Sequence, residues 1–200
     1  MDGRSWDADL PGAEATGALL GDRMTDRLER WAQAARVDEA ARRRARERWL
    51  MQAAEEGGTL HGVLADLAER AVPVAVRTAG GRRHGGRVGA VGLDFVALDA
   101  PAGGPVIISL GAVASVRAQA GAAPPAGDRA VRCELALAEV IAGLAAEREQ
   151  VMVVSLDGGE AVTGTVRALG RDVVALRLDG PVPATTAYVP LAAIGEIVLP

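Results

Sequence analysis

Few side chains in this chain can do covalent or acid–base chemistry: two histidines, His61 and His84, one cysteine, Cys133, and the serines Ser5, Ser109, Ser115 and Ser155. Nucleophilic catalysis needs a nucleophile, a base and a group that orients the base. No spacing among these residues supplies all three. His61 falls on the first turn of a short amphipathic helix, where a capping or surface role is expected, and Cys133, between Arg132 and Glu134, reads as a small helix residue. A lone cysteine allows no internal disulfide and no cysteine pair for structural zinc. The glycine-rich AGGRRHGGR at 79–87 has the composition of a phosphate loop. It joins strand to strand, however, and lacks both the Lys-Ser/Thr and the following helix that such loops use, so a hairpin turn is expected. The chain is read as non-enzymatic, with no catalytic residue, metal or cofactor.

What remains is charge. Arg82, Arg83, His84 and Arg87 cluster at one turn, and guanidinium groups there are candidates for contact with a nucleic-acid backbone. The competing expectation is a solvated turn, or a contact with the acidic second half of the chain. Arginine alone is weak evidence, because the chain has no lysine and no asparagine and is rich in Ala, Gly, Val and Arg, the composition of high-GC coding. Residues 72–119 carry five Arg against two Asp, whereas residues 149–200 carry three Arg against six acids, so the two halves differ in sign. Aromatic residues make up 2% of the chain, leaving few rings on which bases could stack. Over Asp22 to Glu56, nine Arg meet eight acids, the pattern of a salt-bridged exposed helix. Trp31 and Trp49 are 18 positions apart, a whole number of helical turns, so both rings share one face. Such rings seek burial, either by covering the first repeat described below or as a partner-binding stripe.

The elements that must position these residues come in two copies. GGRRHGGRVGAVGLDFVAL at 80–98 matches GGEAVTGTVRALGRDVVAL at 158–176 with ten identities at a shift of 78, in the order Gly-x-Val-x-Ala-x-Gly-x-Asp-x-Val-Ala-Leu. VIISLGAVASV at 106–116 matches AYVPLAAIGEI at 187–197 after an insertion. Each copy opens with apolar residues at helical spacing, Leu60, Val63, Leu64 and Leu67 or Leu137, Val140, Ile141 and Leu144. The period then becomes two, which predicts strands at about 72–79, 85–91, 94–99, 105–110 and 113–118, and again at 150–156, 161–169, 172–178, 186–190 and 194–199. The expected organisation is a disordered acidic N-terminus (1–20), a helical segment (21–58) ending at Gly57-Gly58 with Thr59 as the next N-cap, a first unit (59–118), a Pro/Gly/Ala linker (119–130) and a second unit (131–200).

A short helix followed by five bent strands, with V-x-V…G…G-x-V…G-x-D-x-V-x-L, resembles the Sm-like family of small β-barrels, which includes Hfq-type proteins; an SH3-like or PRC-type barrel gives nearly the same pattern. The resemblance covers about half of the chain. It implies an α+β, mainly β, fold of an N-terminal helix and two tandem barrels. In that family the fourth strand of one unit pairs with the fifth of the next, which two linked units would satisfy within one chain. The family's base-binding residues are not matched. Its Met-Asn pair is replaced by Asp94-Phe95 and Asp172-Val173, and its Arg-Gly by Ser109-Leu110 and Pro190-Leu191; the Lys-His of Hfq-type proteins is absent.

The chain is 200 residues long and half hydrophobic, which suits one or two small domains. No apolar run approaches the roughly 18 residues of a membrane helix, and the acidic N-terminus is unlike a signal peptide. The sequence therefore leads us to expect a cytoplasmic bacterial interaction or adaptor protein, working through an unknown protein partner or by self-association of barrel edge strands. The alternative is an RNA- or DNA-binding protein using the basic first barrel and the Arg-rich helix.

Overall fold

The computed structural model describes residues 13–101, 103–125, 127, 129, 133–178 and 185–200, with side chains from position 25 onward except at 26, 54 and 55. The chain divides into two compact units, Met1–Ala53 and Ala54–Pro200. In the first unit, helix α1 (Ala13–Glu56) begins within the segment expected to be disordered, whose residues 1–12 lie outside those described. Its composition of Ala, Arg, Glu and Leu favours helix. Exposed pairs on it such as Arg43 Nη2 to Glu39 Oε1, 2.7 Å, add only a few tenths of a kcal/mol each. Trp31 and Trp49 are more than half exposed, and the Arg27 guanidinium lies 5.3 Å from the centre of the Trp31 ring.

The second unit is an α+β fold. Helix α2 (Leu60–Glu69) is followed by β1 (Pro73–Thr78), β2 (Arg83–Val91), β3 (Phe95–Ala100), β4 (Gly104–Ser109) and β5 (Val113–Ala118). Helix α3 (Leu137–Glu147) is then followed by β6 (Gln150–Ser155), β7 (Ala161–Leu169), β8 (Val173–Leu178), β9 (Thr186–Pro190) and β10 (Ile194–Val198). Thr59 is the N-cap of α2, its Oγ1 accepting from the Gly62 amide at 3.0 Å. The strands do not make two separate sheets. They form one ten-stranded antiparallel sheet in the order β5-β1-β2-β3-β4-β10-β6-β7-β8-β9. Among the described residues, no helix is long and apolar enough to cross a membrane.

The repetition read from the sequence is repeated in the hydrogen bonds, with one change of register. Ala71 and Arg148 take matching left-handed conformations after α2 and α3, and Gly81 and Gly158 take matching positive φ values of 84° and 71°. Their amides donate to Thr78 and Ser155. Gly158 thus corresponds to Gly81 rather than Gly80, the shift is 77 before this turn, and the second copy carries one extra turn residue. From Arg82/Glu160 the shift of 78 holds, and a bulge recurs at Val88/Ala90 and Val166/Ala168. From Val106/Ala187 the shift is 81. The repeated Gly86 and Gly164 are required by packing, because a Cβ there would lie 2.3 Å from the carbonyl oxygen of Asp99 or Arg177 on the neighbouring strand.

Two apolar clusters fill the fold. Leu64 and Leu67 of α2 pack with Val76, Leu98 and Ile108; Ile141 of α3 packs with Val151, Leu176, Ile194 and Ile197. The second cluster also takes Phe95 and Ile107 from the first repeat, so the cores are not separate. Most of the expected linker is exposed where it is described, but one of its residues is packed. Gly127 is buried, its carbonyl accepts from the Thr59 amide at 3.0 Å, and any Cβ on Gly62 would meet that oxygen.

Leu98 and Leu176 occupy equivalent, fully buried positions. Leu98→Ala and Leu176→Ala are each expected to cost about 2–5 kcal/mol, and because the sheet and the second core are shared, both should shift one common unfolding transition of residues 54–200 in urea. Two separable transitions, each sensitive to one variant, would show that the repeats unfold independently.

Candidate functional site

The two repeats meet where β4 runs antiparallel to β10, with Glu196 opposite Ile108, Ile197 opposite Ile107 and Val198 opposite Val106. The turn between β2 and β3 reaches the start of α3. Ala136, the N-cap of α3, has no side-chain acceptor to offer the first helical amides. Asp94 of the first repeat supplies one, its Oδ1 accepting from the Leu137 amide at 2.6 Å, while Glu139 accepts from the Ala136 amide at 2.8 Å. The Leu93 amide donates to the Leu135 carbonyl. His61 braces the same turn, its Nε2 lying 2.7 Å from the Leu93 carbonyl and 3.1 Å from that of Gly92. Asp94 is thus a structural acceptor at the contact between repeats.

On the other side of the joint, Glu196 of β10 is 2% exposed and faces the β1–β2 turn. Its Oε2 lies 2.8 Å from His84 Nε2 and 2.9 Å from Arg82 Nε; the histidine is aligned as a hydrogen bond and the arginine is not. A buried carboxylate is tolerable only when paired, since desolvating it costs several kcal/mol. The turns themselves touch. A Cβ on Gly80 would lie 2.5 Å from the Gly158 Cα, so only glycine lets the two chains approach this closely. Beside Gly158 the exposed Asp157 accepts from the Ser155 hydroxyl and, at 3.0 Å, from the Gly159 amide, and these bonds hold its carboxyl below the usual carboxylate range. A depressed carboxyl stabilises the fold above its unfolded pKa, and that contribution is lost as the pH falls through the folded value.

The cluster expected to touch nucleic acid is therefore divided. Arg82 and His84 are committed to Glu196, which is the contact with the acidic second half that the sequence offered as the alternative. Arg83 and Arg87 remain exposed on the opposite face of β2. There they are joined by Arg77 of β1, opposite Arg83, and by Arg117 of β5, opposite Ala75. Arg77, Arg83, Arg87 and Arg117 have no ion pair among the described residues; only Asp99, opposite Arg87 on β3, brings an acid near their face. Arg77 and Arg117 entered the sequence reading as net charge alone. The period-two alternation of β1, β2 and β5 would have placed all four on one face. The matching positions of the second repeat hold Val154, Ala161, Thr165 and Val198, so the basic face belongs to the first repeat only.

Cys133 lies ahead of α3 rather than within a helix, half-buried beside Glu69, Ala90 and Val91 at a cavity of about 280 Å³. No three potential metal ligands come together among the described residues. Comparison with family models, with characterised proteins and with solved structures finds no match to this chain. The arrangement is one of charged and backbone recognition: a buried ion pair, a helix cap crossing between repeats, an open basic face, and two sheet edges, β5 and β9.

Replacing Arg82 and His84 together by Ala leaves Glu196 buried and unpaired, and should destabilise the fold by about 3–5 kcal/mol. Adding Glu196→Leu removes the stranded charge and should restore most of that loss. Urea denaturation of the double and triple variants checks this, and equal stability of the two would mean that the ion pair does not hold the joint.

Proposed function

We propose that this chain is a non-catalytic interaction protein of the bacterial cytoplasm, two Sm-like units fused edge to edge, which recruits a protein partner through its open strand edges. The repetition of helix and five strands in the spatial order 5-1-2-3-4 supports the Sm-like reading, as it would the SH3-like alternative. The observation that carries the function is the state of β5 and β9. These terminal strands present apolar residues, including Val113 and Val116 on β5 and Tyr188 and Val189 on β9, beside backbone groups that no further strand of the sheet pairs. Unpaired edges readily recruit another strand, and the guards on these are few, Arg117 on β5 and Pro190 at the end of β9.

Tyr188 is 71% exposed, so Tyr188→Lys blocks an edge at little cost to the core. Immobilised full-length chain is expected to retain protein from a lysate of its source cells after nuclease treatment, and the Tyr188→Lys chain to lose it. Absence of any nuclease-resistant retention would overturn the adaptor reading.

A second reading rests on the four exposed arginines of the first repeat, which form a surface suited to a nucleic-acid backbone. Fluorescence anisotropy with a labelled oligonucleotide should then show binding that weakens steeply with salt. Arg83→Ala with Arg87→Ala should weaken it further and lower the salt slope by about two, as two phosphate contacts and their released counterions are lost. No anisotropy change at low salt would remove this reading.

A further inference from the structure

Helix α1 carries a seam of exposed side chains that includes both of its tryptophans. Positions 28, 31, 35, 38, 42, 45, 49 and 52 recur alternately at three and four residues, the spacing that keeps one line of side chains along a helix facing one way. All eight fall within the first compact unit. All are exposed, Trp31 at 58% and Trp49 at 66%. Two indoles are a large apolar area to leave in water, and a helix gains most of its stability by packing one face.

The seam has the same character read in either direction. Asp38 and Arg42 stand two residues either side of Ala40 with opposite charges, Ala35 and Ala45 stand five either side, and Trp31 and Trp49 nine. Two antiparallel copies of α1 that cross at the level of Ala40 therefore set Asp38 against Arg42, Ala35 against Ala45 and Trp31 against Trp49, each contact made twice. Helices that cross at about 20° are closest at the crossing and part towards their ends. The alanines flank the crossing and the indoles lie further out, where there is room for them.

Charge fixes the direction. A parallel pair would oppose Asp38 to Asp38 and Arg42 to Arg42, whereas an antiparallel pair joins opposite signs. Asp38 and Arg42 form no ion pair among the described residues, although their neighbours Glu39 and Arg43, at the same spacing, are joined at 2.7 Å. Glu39 flanks the seam near the crossing, and Arg43 offsets the repulsion it would feel from its own copy. A charged pair within a helical seam costs stability but selects register and direction.

We propose that two copies of this chain associate through α1 as an antiparallel pair, with Trp31 of each copy against Trp49 of the other and Asp38 of each against Arg42 of the other. The partner of the tryptophan face is thus a second copy. The same patch serves both copies, so the joint is closed and stops at two. It uses none of the strand edges, and so goes beyond the adaptor reading without resting on it.

Sedimentation velocity of the full chain over a concentration series provides the test, with circular dichroism to verify that each variant is folded. The wild-type chain is expected to sediment at twice 20.5 kDa. Asp38→Arg and Arg42→Asp should each sediment as the single chain, because each sets like charges together at both contacts. Mixed in equal amounts they should pair again, since both contacts then join opposite charges. Glu47→Arg, a charge reversal on the far side of the helix, and Tyr188→Lys, on the sheet edge, should stay paired. Direction is read by oxidation in a Cys133→Ser background, where Ala35→Cys and Ala45→Cys chains should cross-link when mixed and neither should cross-link alone. A wild-type chain that is single at every concentration, pairing indifferent to Asp38→Arg, a mixture that stays single, loss of pairing in Glu47→Arg or Tyr188→Lys, or an Ala35→Cys chain that cross-links to itself would each overturn the proposal. A single chain that still retains a nuclease-resistant partner would overturn the pairing while leaving the adaptor reading standing.

Discussion

The backbone pairing of β4 with β10 is the interaction on which the rest of the fold depends. Without it the chain has two five-stranded sheets with four free edges; with it there is one sheet with two. It also brings Phe95 and Ile107 into the core of the second repeat, and so makes the stability of one repeat a property of the other. Backbone pairing is indifferent to sequence. Its register here is set by what flanks it: Ile107 and Ile197 on the strands, the Gly80–Gly158 contact at one end, and the Asp94 cap on α3 at the other.

Charge supplies what backbone pairing lacks, which is identity. Glu196 is almost wholly buried and would be costly there without Arg82 and His84, so the joint tolerates only a partner that brings cations on its β1–β2 turn. Differences between the repeats at a few positions, Arg82 against Glu160 and Glu196 against Ser115, make the middle joint and the two open ends of the sheet different in charge. Other differences leave one repeat with four arginines on an open face and the other with none of them. Two repeats that share a backbone path thus present different chemistry.

Much of the local structure was legible in the residues. The alternation of Val72, Val74 and Val76 and the helical spacing of Leu137, Val140, Ile141 and Leu144 reflect which side chains face a core, and that is a property of neighbouring residues. Thr59 was legible as a cap for the same reason. The register of the repeat was less so, because Gly80-Gly81 and Gly158-Gly159 look interchangeable in sequence, and only the positive φ of Gly81 and Gly158 shows which of them turn the chain. The packing of Gly127 against Gly62 was not legible, since a small residue in a Pro/Gly/Ala segment carries no pattern that marks burial.

By itself the sequence determined the helices, the ten strands, the repetition and the opposite signs of the two halves, because each is encoded in spacing or composition along the chain. Only the tertiary structure decided where those charges go. Arg82, Arg83, His84 and Arg87 are one cluster in sequence, yet alternate residues of a strand point to opposite faces, and the faces meet different surroundings. Arg82 and His84 met a glutamate 112 residues beyond His84, while Arg83 and Arg87 met solvent and two arginines from other strands. Which edge pairs with which was decided in the same way, because a strand edge carries its hydrogen-bonding groups whatever its sequence, and its partner is fixed by the residues that the fold sets beside it.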